Sequence, residues 1–352
     1  MIMDDHEFLS CGWLSGPGPN HEIVLSTRVR LARNVKGFPF SHWASTGELA
    51  RLVSSCSAAI RKTSYFENAE EIHLEEVNVL DLAFLRERHQ ISAEMVHSQN
   101  QRSVFISADQ KTAAMVAEED HIRLQVLYPG LDLKNAWSVC TSLDDELSNH
   151  LTFAYSERLG YLTACPTNVG TGLRCSVMVH LPALVMTRQI QKMINAVSQL
   201  GMTVRGPSGE GSEIKGNLFQ ISNQITLGVN EDEIIERLSN LTEQIIDMET
   251  KATSQLLSEA EEDIEDRVFR AYSILTSARK LNSKETLELL SPVRLGIRTG
   301  LLKDASLNAI NEVFLCSRPA HLQKKAGREM GERERDIFRA QFIRDRFKPS
   351  AC

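Results

Sequence analysis

No run of about 18 apolar residues occurs in the 352-residue chain, so no membrane-spanning helix is expected. The first residues, MIMDDHEFLSCGW, are acidic and lack the basic-then-apolar order of a secretion signal, which predicts a cytoplasmic protein. The seven cysteines, Cys11, Cys56, Cys140, Cys165, Cys175, Cys316 and Cys352, are odd in number and include no CxxC pair. A disulfide framework or a zinc site is therefore not expected, and no protein-ligated metal is assigned. Basic excess is absent too: 39 Lys and Arg against 46 Asp and Glu leave a net charge of -7, which argues against a general nucleic-acid binder. There is no GxxxxGK[ST] loop and no GxGxxG after a strand, so neither a P-loop nor a Rossmann nucleotide site is supported.

What is present is ordinary globular material, 42% hydrophobic and 24% charged, in a chain long enough for two domains. Alternation over residues 22–34 predicts a strand leading into a basic stretch, and residues 46–62 read as a helix. Segments 73–77 and 103–108 read as strands, 112–130 as one or two strands around an acidic turn, and 132–150 as an amphipathic helix. A Pro- and Gly-containing loop inside GYLTACPTNVGTGLRCSVMVHLPAL separates a short strand from an apolar one; a helix over 183–200 and a glycine-rich loop between strands follow. After Gly228 the pattern turns helical: Ile234, Leu238, Leu241, Ile245 and Met248 mark one helix face. Pro292 and Gly300 are expected to interrupt this region, and Asn282 with Glu285 to begin a helix. The reading is an α+β domain over 1–252 with several antiparallel strands and an all-helical domain over 253–352.

Chemistry concentrates in arginines beside glycine-rich or acidic segments: Arg28 and Arg30 in STRVR, Arg123 in EEDHIR, Arg174 in GTGLR and Arg205 in VRGPSGEG. Guanidinium groups stay charged and offer planar forks to phosphate oxygens, so a converging set could neutralise a triphosphate. Glu118, Glu119 and Glu210 are candidate bases, and Cys165, before Pro166, is a candidate thiolate. Taken singly, each feature reads more readily as surface ion pairs, a solvated acidic turn or an inert cysteine.

Taken together, CPTNVGTGLR, STRVRLARN, EEDHIR and RGPSGEGSE resemble, in the same order, the motifs of the phosphagen (guanidino) kinases. The resemblance implies a guanidino-kinase core with an antiparallel sheet flanked by helices, and ATP with magnesium as cofactors. It implies catalytic roles for Glu119, Cys165 and Glu210. It implies nucleotide contacts along Ser26, Thr27, Arg28, Val29 and Arg30, at His89 and Arg123, along Arg174, Cys175, Ser176, Val177 and Met178, and along Arg205, Gly206, Pro207, Ser208, Gly209 and Glu210. Two departures stand out: Ala117 occupies the family's usual asparagine position before the acidic motif, and Met178 that of its base-contacting histidine.

Only 25 residues precede Ser26, where metabolite-directed members carry a helical domain, and about a hundred residues follow the core. This arrangement looks like that of the bacterial protein arginine kinases. The tail from Arg318 to Lys348 holds ten Lys or Arg against five Asp or Glu and contains RDIFRA. Arg335 and Arg339 share a helix face by spacing, while Asp336 suits a guanidinium. The segment is similar to the family's phosphoarginine-binding motif, which implies a regulatory site at Arg335, Asp336, Arg339 and Ala340. The resemblance further implies protein substrates bearing arginine, a zinc-containing activator protein, an unfoldase–protease system, a stress-response role and a homodimer. The alternatives are a kinase of free arginine or a related metabolite, and a non-catalytic phosphoarginine-binding adaptor.

Overall fold

The computed structural model describes residues 11–14, 16–97, 100–206 and 215–347. Its centre is strand β1 (Val24–Arg33), whose alternation sends Val29 and Leu31 to one face and Arg28 and Arg30 to the other. Around it lie β2 (Glu71–His73), β3 (Ser103–Ile106), β4 (Thr112–Val116), β5 (Ile122–Pro129), β8 (Leu173–His180), β9 (Met202–Arg205) and β10 (Leu218–Asn223). They form one antiparallel eight-stranded sheet in the order β2-β3-β4-β5-β1-β8-β10-β9. A small hairpin, β6 (Tyr155–Ser156) and β7 (Gly160–Tyr161), stands apart.

One face of the sheet is the apolar core. Helices α1 (Thr46–Ile60), capped by a Ser45–Glu48 capping box, and α4 (Leu133–Ser148) pack there. Helix α4 buries Ala136, Cys140, Leu143 and Leu147, a single stripe at helical spacing. Helices α2 (Val79–Glu87) and α3 (Ala93–His97) flank the β3–β4 end with a smaller cluster around Leu82, Leu85 and Met95.

The long helix α7 (Glu231–Ser277) leaves this core for a second one. Ile234, Leu238, Leu241 and Ile245 pack on the sheet; beyond the non-helical residue Ala260, Ile264, Val268, Ala271 and Leu275 face α8 (Ser283–Arg298) and its neighbours. The helical region is completed by α9 (Leu307–Cys316), α10 (Pro319–Ala326) and α11 (Glu332–Phe347). Buried Glu249 of α7 ties the two parts. Its carboxylate accepts from the Ala183 and Leu184 amides at the start of α5 (Pro182–Met186), both 3.0 Å, and from Arg298 of α8 at 2.9 Å.

Four elements differ from the sequence expectation. The strand expected over 73–77 is β2 followed by a 3₁₀ turn, Leu74–Glu76. The helix over 183–200 is two helices, α5 and α6 (Ile190–Gln199), broken where Arg188 takes a left-handed φ of 59°. Pro292 does not interrupt the chain but sits inside α8. Helices α2 and α3 were not expected; both are short.

The tail motif is built into the packing. Arg339 is buried and donates to Ser317 O, to Leu281 O and to Asp336 Oδ1, at 2.8, 2.8 and 2.7 Å. Ala340 is buried too, whereas Arg335 is half-exposed and donates to Met330 O at 2.6 Å. Arg339 thus points inward, where three acceptors satisfy it, while Arg335 lies nearer the surface. Asp336→Ala strands a buried guanidinium and is expected to cost about 3 kcal/mol, measured by urea unfolding. An unchanged midpoint would show that the Arg339 carbonyl partners suffice.

Candidate active site

Antiparallel register brings the sequence-distant arginines onto the sheet face opposite the core. Arg30 lies directly across from Arg174 on β8 and from Gln125 on β5; Arg28 lies across from Ser176, Ala32 from Arg123, and Gln220 of β10 from Arg205 of β9. Directly paired residues point the same way, so five arginines from four strands floor a cleft of about 1200 Å³. Their charges crowd one another. Burial, with Arg174 and Arg123 nearby, pushes Arg28 down to about 10, and burial with the same neighbours and Arg28 pushes Arg30 well below the usual guanidinium range. Buried Arg30 Nε has no hydrogen-bond partner among the described residues. Such a face is unfavourable alone and suited to a polyanion.

The same alternation turns part of the motif backwards. Val29, Cys175 and Val177 project into the core, and burial raises the Cys175 thiol to about 12. Thr27 also faces away, donating to Gly130 O at 2.7 Å and accepting from the Asp132 amide at 3.0 Å. These four side chains support the sheet and cannot reach a ligand on the arginine face. Gly206 follows β9, and Pro207, Ser208, Gly209 and Glu210 lie outside the described residues.

The acidic turn stands at one end of the cleft. Glu118 is buried on Arg123 at 2.5 Å, whereas Glu119 is half-exposed, its carboxylate 3.4 Å from the same guanidinium. Burial raises the Glu119 pKa against the opposing pull of Arg123. Ala117 adopts φ 58°, a left-handed conformation that asparagine tolerates better than alanine, which gives the family's usual asparagine here a conformational reason. Asp120 then joins the turn to the Cys165 loop, accepting from Asn34 Nδ2 at 2.7 Å and from the Ala164 amide at 2.6 Å. Cys165 Sγ lies 3.0 Å from Thr167 Oγ1, in the same cleft as Glu119.

Behind the loop, Arg33 fixes it to the sheet, bonding both oxygens of Asp144 and donating to Thr171 O at 2.9 Å. Gly170, at φ 112°, could not carry a Cβ, which would fall 2.2 Å from Thr226 O. At the other end a small pocket is lined by Trp13, Ser26, His89, Ser176, Met178 and Gln220 beside Arg28. His89 packs edge-on to Trp13 at 5.1 Å, and its carbonyl accepts from Gln125 at 2.6 Å.

Residues 51–252 match the family ATP:guanido phosphotransferase, C-terminal catalytic domain, and residues 261–351 match Protein-arginine kinase McsB C-terminal domain. The chain is 47% identical to the protein-arginine kinase of Symbiobacterium thermophilum over 337 residues, 95% of this chain and 96% of that one. It is 45% identical to that of Moorella thermoacetica, over 95% and 96%. This chain belongs to the protein-arginine kinases. Among solved structures it resembles lombricine kinase with a TM-score of 0.59 and 25% identity over 71% of each chain.

For an ATP-dependent kinase of this family, the arrangement supplies cationic donors in a fixed array at one place and a carboxylate with a thiol at another. Sequence reasoning did not find the cleft wall contributed by Arg86, Arg102, Lys215 and Arg318. Arg318, from the helical region, donates to Glu87 O at 3.3 Å, and Glu87 in turn caps α10 through the Ala320 and His321 amides. No local motif marks Arg86 and Arg318, which meet through packing of α2 against α10. No helix among the described residues is long and apolar enough to cross a membrane.

Proposed function

We propose that the kinase binds ATP with its phosphates along Arg28, Arg30, Arg123, Arg174 and Arg205. Ser26, His89, Ser176 and Met178 are assigned further nucleotide contacts, and the target arginine sits between Glu119 and Cys165. The observation that carries this reading is the common face: five arginines from four strands open onto the cleft that also holds Glu119 and Cys165. The guanidinium, with a pKa above about 12, must lose a proton as its nitrogen attacks the γ-phosphorus. Glu119 takes that proton while the bond to the β-phosphate oxygen breaks and ADP leaves. The raised proton affinity of Glu119 favours this transfer. Glu210 is assigned the second carboxylate on the guanidinium, and Pro207, Ser208 and Gly209 nucleotide contacts; these four lie outside the described residues.

Magnesium supplies charge neutralisation on the nucleotide when bound. The ion is taken as held mainly by nucleotide oxygens and water. The catalytic domain is taken as 1–252 and the helical domain as 253–352. Binding of phosphoarginine to RDIFRA is part of the proposal: Arg335 is available at the surface, and Arg339 must exchange its carbonyl partners for phosphate oxygens. A cytoplasmic homodimer working with a zinc-containing activator and an unfoldase–protease system in stress response completes it, on the strength of the family resemblance.

The acceptor is tested by incubating the kinase with Mg-ATP and either free arginine or an arginine-bearing protein, with phosphorylation read without acid. Phosphoarginine in the protein and none, or far less, on the free amino acid is expected. The reverse preference would establish the metabolite-kinase reading.

A further inference from the structure

The chain between β1 and α1 carries GFPFSHWAS; Phe38 packs against the core, whereas Phe40, His42 and Trp43 are outside it. Phe40 stacks parallel to His42 at 6.2 Å, while Trp43 packs on Phe40 at 5.9 Å and edge-on to His42 at 4.8 Å. Trp43 is 73% exposed and, with Phe40 and His42, forms one contiguous aromatic patch. The loop is nonetheless firmly placed. His121, two residues after Glu119, accepts from the Val35 amide at 2.9 Å and donates to Pro39 O at 2.9 Å. Its own amide donates to Asn34 Oδ1 at 3.0 Å. His121 thus fastens the loop to the acidic turn, and His42 lines the cleft that holds Glu119 and Cys165.

We infer that Phe40, His42 and Trp43 form the docking platform for the polypeptide that flanks the target arginine. An arginine side chain reaches only the length of its own stem, so the substrate backbone must cross the surface beside Glu119 when the guanidinium is in place. His42 lines the cleft of Glu119 and Phe40 lies 6.5 Å from the ring of His121, so the platform borders that surface, and its occupant is a polypeptide because the family acts on protein arginine. A rigid aromatic cluster suits such a role, because it offers large contact area at small entropic cost and takes varied sequences through ring faces and backbone contacts. The inference rests on the assignment of the acceptor position to Glu119.

The probe is an arginine-containing synthetic peptide free of tryptophan, with full-length kinase and Mg-ATP. Of the chain's three tryptophans, Trp13 is buried and Trp137 is partly buried, so acrylamide quenching is read in a Trp137→Phe background, where it reports chiefly on Trp43. Peptide is expected to reduce quenching in the wild type. Trp43→Ala should raise KM for the peptide about tenfold, with Trp43→Phe intermediate and with kcat, affinity for ATP and thermal midpoint retained. An unchanged peptide KM in Trp43→Ala would overturn the platform, as would protection of Trp43 by raising kinase concentration alone, which would mean that a second copy covers it. Failure of the acceptor assignment is told apart by Glu119→Gln, which acts on turnover and not on the peptide KM through Trp43.

Discussion

Glu119→Gln is expected to lower turnover by about 10²–10⁴-fold while ATP affinity stays within about twofold of wild type. Glutamine keeps the shape and a hydrogen-bond acceptor, so the guanidinium can still be oriented; what is lost is the group that takes its proton. The neighbouring Glu118 cannot substitute, because it is buried and committed to Arg123 at 2.5 Å. Nucleotide affinity survives because the arginine floor is untouched. Single-turnover kinetics with an arginine-bearing protein separate the two effects. Near-normal turnover would remove Glu119 from the mechanism, whereas a large loss of ATP affinity would make it a support for Arg123 only.

Arg30→Gln is expected to weaken ATP binding about tenfold to a hundredfold, the range for one charge-assisted contact. It should also leave the unliganded protein as stable as wild type or more so. The sign follows from the pKa. A base held well below its usual value in the folded protein is one whose charged form the fold disfavours, chiefly through burial and then through the charges of Arg28, Arg123 and Arg174. At neutral pH that penalty is present in the unliganded protein, and an anion relieves it. Lysine should restore only part of the affinity, being a point charge without the fork. Calorimetric titration of a non-hydrolysable ATP analogue, with thermal melting, checks both halves. A variant less stable without ligand but unchanged in affinity would mean that Arg30 is structural.

The arginine floor was legible because a strand's period of two is visible in STRVR and because four motifs keep their order. The register that sets Arg30 across from Arg174 was not, since pairing partners more than a hundred residues apart leave no local mark. Motif membership also said nothing about direction: Cys175 and Val177 neighbour Arg174 and Ser176 in sequence yet face the core. The supports of the site escaped for a similar reason. Arg33 bonds Asp144 across 111 residues, and His121 bonds Val35 across 86. In the tail, helical spacing placed Arg335 and Arg339 on one face, but only the packing of α11 against α7 and α10 reveals that Arg339 is turned inward.

The central claim is that phosphates lie on the arginine face while the acceptor guanidinium lies at Glu119 and Cys165. A structure of the kinase with magnesium, a non-hydrolysable ATP analogue and an arginine peptide tests it most directly. Phosphate oxygens bonded to Arg28, Arg30, Arg123, Arg174 and Arg205 are expected, with the peptide guanidinium hydrogen-bonded to the Glu119 carboxylate beside Cys165. Phosphates bound away from that face, or a guanidinium whose nitrogens do not reach Glu119, would contradict it.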